Sequence, residues 1–147
     1  MPIKERLQED WKQALKAKDK LKADTISMAK AAILHLEKSG SGAASDDDII
    51  EILAREVKQR REAIVEFEKG NRQDLVDKNN KEIEILLGYL PQQLSENEIS
   101  EIVRTTALEV GANSIKEMGK LMSAVIPKVK GRADGKLVSK LVKEHLS

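Results

Sequence analysis

Ile3, Leu7, Trp11, Ala14 and Leu15 recur at helical spacing behind Pro2, a residue suited to a first helical turn, and predict a helix ending near Lys18. A second stripe follows at once on Leu21, Thr25, Met28, Ala32 and Leu36, widened by Ile26, Ala29 and Ile33, as in a helix packed on two sides. The run Ser39 to Ser45, SGSGAAS, then breaks the pattern and reads as a loop too short to separate domains. Ser45 and Asp48 have capping-box spacing, and Asp46 to Asp48 bring negative charge to the positive end of a third helix. That helix is long, with a heptad-like seam on Ile50, Leu53, Val57, Ile64 and Phe67 and a stop at Gly70. A fourth carries Leu75, Ile83, Leu86 and Leu87 and closes at Gly88 and Pro91. Short connections imply antiparallel neighbours, so residues 1–92 are expected to form an up-and-down, four-helix bundle-like domain.

After Pro91 the elements shorten. Ser95 with Glu98 and Ser114 with Glu117 give two more capping-box spacings, opening helices that carry Ile99, Ile102, Val103 and Val110, then Met118, Leu121 and Met122. A last helix is predicted from about Asp134 to Leu146 on Leu137, Val138, Leu141 and Val142. Residues 93–147 thus read as a small helical domain of their own. No alternating strand pattern and no internal repeat interrupts this picture, and the fold class is all-α.

Composition narrows the chemistry. The chain has 147 residues and no cysteine, which removes disulfides, thiolate nucleophiles and Cys-based zinc sites. Trp11, Phe67 and Tyr89 are its only aromatic residues, too few for a base-stacking platform. The opening residues MPIKERLQEDWKQ are charged and lack an apolar signal core, and no run approaches the ~18 apolar residues of a membrane span, so a soluble, cytoplasmic protein is expected.

Charge changes the picture more. Lys+Arg number 26 against Asp+Glu 25, yet the stretch from Lys116 to Leu141, KEMGKLMSAVIPKVKGRADGKLVSKL, is rich in cations and holds only Glu117 and Asp134 as anions. A cationic end on a nearly neutral chain points to a polyanion. Lys136, Lys140 and Lys143 are spaced i, i+4, i+7 on one helix face, and Lys128, Lys130 and Arg132 are expected in the loop before it. Together these six residues form a candidate RNA-binding ridge that would neutralise phosphates without reading bases. A solvated face is the competing explanation. Gly131 and Gly135 bracket a helix start able to hold a phosphate, although Asp134 is placed to cap it instead, and the glycine spacing matches no nucleotide-binding loop.

Other groupings carry less. Arg55, Lys58, Arg60 and Arg61 interleave with Glu51, Glu56, Glu62, Glu66 and Glu68, as on a salt-bridged surface with Glu56–Arg60 and Glu51–Arg55 pairs. His35 and His145 stand alone, so no metal site is expected, and Met118 and Met122 read as core. The serines sit in no nucleophile setting, so neither a catalytic residue nor a cofactor is predicted.

Three segments carry a family resemblance: EVKQRREAIVEFEKGNRQDLVDK (56–78), EILLGYLPQQLSENEI (84–99) and MGKLMSAVIPKVKGRADGKLVSKLV (118–142). The chain resembles the YqeY family of GatB/YqeY-domain proteins over nearly all its length. The third segment is also similar to the tail domain of GatB, a subunit of glutamine-dependent Asp/Glu-tRNA amidotransferase. The resemblance implies a four-helix N-terminal domain and a GatB-tail-like C-terminal domain, the latter helping to hold tRNA in the amidotransferase. By similarity it also implies a carbon–nitrogen ligase association with glutamine as amido donor, although residues 1–92 resemble neither the Ser-Ser-Lys glutaminase nor the GatB catalytic core. The tail motif maps onto Gly119, Pro127, Lys128, Gly131, Arg132, Gly135 and Lys136. Of these, Gly119 is expected to allow close helix packing, Pro127 to end or bend a helix, and Gly131 and Gly135 to shape the turn. Gly88 before Tyr89 departs from the family pattern, which expects a larger residue.

Three functions compete on this reading, the third being an amidotransferase component with activity only in a complex whose partner supplies every catalytic group. The first is a tRNA-binding or tRNA-associated accessory protein. The second is a protein interaction module that docks on an amidotransferase or another translation component, without RNA contact, through the Ile50–Phe67 helix or its neighbours. The latter predicts an exposed apolar groove.

Overall fold

Seven α-helices form where apolar residues recur at helical spacing, and the described residues contain no strand. The computed structural model describes residues 1–147, the side chain of Ser41 excepted. Helix α1 spans Ile3–Lys16, α2 Lys20–Leu36, α3 Asp46–Lys69, α4 Gln73–Leu87, α5 Glu96–Val110, α6 Met118–Val129 and α7 Gly135–Leu146. None is long and apolar enough to cross a membrane.

The helix ends follow from local backbone chemistry. Helix α1 stops before the expected Lys18, because Lys18 takes a left-handed conformation (φ 58°). Its amide donates to the Leu15 carbonyl and that of Asp19 to Ala14, the paired bonds of a Schellman closure. Asp19 then caps α2 through the Lys22 amide at 3.2 Å. Helix α3 ends at Lys69 with the expected stop, Gly70, as its C-cap, and Asn71 (φ 55°) supplies the left-handed residue of the same kind of closure. The Ser45/Asp48 and Ser95/Glu98 capping boxes both form. The one at Ser114 does not: Ile115–Glu117 is a 3₁₀ turn without a side-chain cap, and Glu117 accepts from the Asn113 amide instead. Of the expected Ser39–Ser45 loop, only the start joins the π-helical turn Glu37–Ser41 that follows α2, and Gly40 (φ 105°) kinks that turn out of helical backbone.

The chain divides into two compact units, Met1–Leu90 and Pro91–Ser147, each with its own core. In the first, Leu7, Ile26, Ile33, Ile49, Leu53, Val57, Ile83 and Leu86 are all buried. The α3 seam is rotated from the expected one: Ile49, Ile52, Leu53 and Val57 face inward, whereas Ile50, Ile64 and Phe67 are half-buried. Arg60 occupies the next inward position and is only 6% exposed, which corrects its expected place on a salt-bridged surface. Its guanidinium pairs with Glu82 of α4 at 2.9 Å and Glu56 at 3.1 Å, and an Nη lies 3.8 Å from the Met28 sulfur of α2. Met28, expected in the α2 stripe, is instead 52% exposed, and the inward residues of α2 are Ala23, Thr25, Ile26, Ala29 and Ile33.

The end of α4 is tied to α1. The buried Tyr89 donates its hydroxyl to Asp10, and Arg6 lies 5.0 Å over the ring while bonding the Gly88 carbonyl at 3.1 Å. A Cβ at Gly88 would stand 3.3 Å from the Ile85 carbonyl oxygen, tight enough to favour glycine after Leu87.

In the second unit α5, α6 and α7 enclose Ile99, Val103, Leu121, Val125, Val138 and Val142.

Candidate nucleic-acid interface

Successive residues of a helix turn by about 100°, so Lys136, Lys140 and Lys143 fall within about 60° of one another on α7 and span about 10 Å along it. All three are exposed. The inward residues Val138, Leu141, Val142 and Leu146 occupy the opposite side and fix that orientation. Helix α7 therefore faces solvent with ammonium groups because its other side is needed by the core. Lys140 and Lys143 have no ion-pair partner among the described residues.

The preceding segment places the other candidates differently. Lys128 lies on α6, not in the expected loop, and its ammonium reaches α5, where it donates to Thr106 Oγ1 at 2.9 Å and Glu109 at 2.8 Å. Lys130 sits at the α6 C-cap and is exposed. Gly131 turns the chain at φ 73°, a conformation that favours glycine. Arg132 follows, its Nε donating to the Gln92 carbonyl at 3.3 Å. Arg132 also adds its charge to the Ser95 bonds, foremost that from the backbone amide, that hold the Glu98 carboxyl below its ordinary range.

A strap braces this turn. Gln93 donates to the Gly131 carbonyl at 2.8 Å and to that of Pro91 at 3.0 Å, and the Leu94 amide bonds the Arg132 carbonyl at 2.8 Å. Neither Gln93 nor the Thr106/Glu109 anchor of Lys128 was found from sequence; they lie 38, 22 and 19 residues from their partners, and no local spacing marks them.

Two expected roles are corrected. A Cβ added at Gly119 meets nothing within 4 Å, so this glycine does not serve close packing. Pro127 does not end α6, which winds on to Val129 past it, although the proline lacks the N–H that an interior helical residue would donate. At the start of α7 the Asp134 carboxylate accepts from the Lys136 amide at 3.4 Å, occupying the position where an anion would bind. Gly135 begins α7 in open space.

This helical sequence matches the model of Yqey-like proteins over residues 4–146. The chain belongs to the YqeY family. It is 32% identical over 142 residues to the Altered inheritance of mitochondria protein 41, mitochondrial, of Pyrenophora tritici-repentis, covering 95% of this chain and 78% of that YqeY-like relative. The protein of the same description from Lachancea thermotolerans is 37% identical over 87 residues, 58% of this chain and 46% of its own length. These relatives overturn the expected cytoplasmic location, since both are described as mitochondrial.

Proposed function

We propose that this YqeY-family chain is a tRNA-associated accessory protein whose second unit contacts the phosphate backbone. The observation that carries the reading is the solvent face of α7, where Lys136, Lys140 and Lys143 stand opposite the buried stripe. Lys130 and Arg132 in the braced turn extend the contact; Lys128 contributes mainly through its bonds to α5. The resemblance of residues 118–142 to the GatB tail supports tRNA as the polyanion. The proposal gives this chain binding and positioning, and leaves the amide chemistry of an amidotransferase to other subunits.

Fluorescence-anisotropy titration with bulk tRNA at two salt concentrations tests it, beside a Lys136→Ala/Lys140→Ala/Lys143→Ala variant whose fold is checked by circular dichroism. Saturable binding that weakens with salt is expected. The variant should bind less tightly, with a salt slope lower by roughly 0.7–0.9 for each phosphate it no longer neutralises. No binding by the intact protein near physiological salt would sink the reading.

A further inference from the structure

Helices α1 and α2 leave an open groove of about 730 Å³ between them. Its floor is core: Leu7 and Ile33 are 0% and 2% exposed. Its lip is formed by Ala31 and Leu34, and Leu34, at 50% exposure, is among the large apolar side chains left open to water on this unit. Continuous apolar floor and lip on a surface otherwise dense in charge mark a place where another apolar surface gains by docking.

The rim charges are unequal in a way that selects the occupant. Lys4 is held by Glu37 at 2.7 Å, and the Lys30 ammonium lies 4.0 Å from the centre of the Trp11 ring. The two rim lysines are thus engaged within the unit. Glu5 and Glu9, exposed and one turn apart on α1, have no ion-pair partner among the described residues. Two carboxylates about 6 Å apart along one wall complement basic side chains spaced i, i+4 on a helix lying alongside. We infer that the α1/α2 groove is a docking site for a basic amphipathic helix of a partner protein, its apolar stripe on Leu7, Ile33 and Leu34 and its Lys or Arg flank on Glu5 and Glu9. An i, i+3/i+4, i+7 stripe spans about 10 Å, close to the reach of α1 from Glu5 to Glu9 with one further turn. The inference concerns the first unit alone and is independent of the RNA reading.

The test is anisotropy of a labelled synthetic helix with leucines at i, i+3, i+4 and i+7 and lysines along one flank, compared with a twin carrying glutamates there. Saturable binding of the lysine peptide is expected, with the glutamate twin roughly tenfold weaker. Leu34→Gln, at an exposed position that leaves the fold intact, should weaken binding, and Glu5→Lys/Glu9→Lys should reverse the preference between the peptides. Equal affinity for both peptides, an unreversed preference, or no binding of either overturns the inference. Self-association of the chain abolished by Leu34→Gln in sedimentation velocity also overturns it, making the occupant a second copy.

Discussion

Arg60 is the residue whose surroundings differ most from its place in the sequence pattern. Its pairing with Glu56 was legible from the four-residue spacing, whereas its burial depended on Glu82, 22 residues away, arriving from α4. Local spacing reports what a helix can pair with on its own surface, and it is silent about which surface another helix covers. Removing one partner of such a group leaves a charge buried and unpaired, so Arg60→Met should destabilise the protein by about 3–5 kcal/mol. Arg60→Met/Glu82→Leu should recover most of that loss, as read by urea unfolding. Tyr89 offers a second test, because it is the only tyrosine and can be titrated alone by its ultraviolet absorbance. Burial, then the hydrogen bond and charge of Asp10, push its hydroxyl above the ordinary value of 10.0, with Arg6 opposing. The neutral phenol is the form the fold favours. Its contribution to stability is therefore complete below pH 10 and declines as pH rises toward the folded-state value. Asp10→Asn is expected to lower the titration midpoint.

Helix existence was readable from apolar periodicity throughout, and ends were readable where a side chain forms the cap. Ser45 and Ser95 show this, since one serine and one acid three residues on suffice to close each box. The exceptions differ in cause. Lys18 and Asn71 take the left-handed position of a helix closure that more often falls to glycine, and Ser114 loses its partner when Glu117 turns to the Asn113 amide. Thermal unfolding should separate these cases. Ser95→Ala is expected to cost about 1 kcal/mol, and Ser114→Ala much less. Likewise Gly131→Ala, at φ 73°, should destabilise by about 1 kcal/mol, while Gly135→Ala in open helical space should be neutral or stabilising.

For the whole molecule, near-neutral charge conceals a cationic face because neutrality is a sum, and only position along α7 reveals where the lysines gather. The candidate site was legible to the extent that periodicity fixes which side of α7 meets solvent; the engagement of Lys128 by α5 was not, since it arises from helix packing. Each unit closes its own core, and both Trp11 and Tyr89 belong to the first. Leu121→Ala opens a cavity in the second unit and should cost it about 2–5 kcal/mol. The expected result is a far-ultraviolet dichroism transition that begins at lower temperature while Trp11 fluorescence keeps its parental midpoint. The strap formed by Gln92, Gln93 and Leu94 across the Gly131 turn bears on protease footprinting of any RNA complex. Trypsin needs several residues to peel away from their hydrogen bonds before it can cut, so Lys130 and Arg132 should resist cleavage with no ligand present. Shielding from trypsin is then a property of the free chain at these two positions and inside α7 alike, and bound RNA would be reported instead by lost chemical modification of the exposed Lys140 and Lys143 ammonium groups.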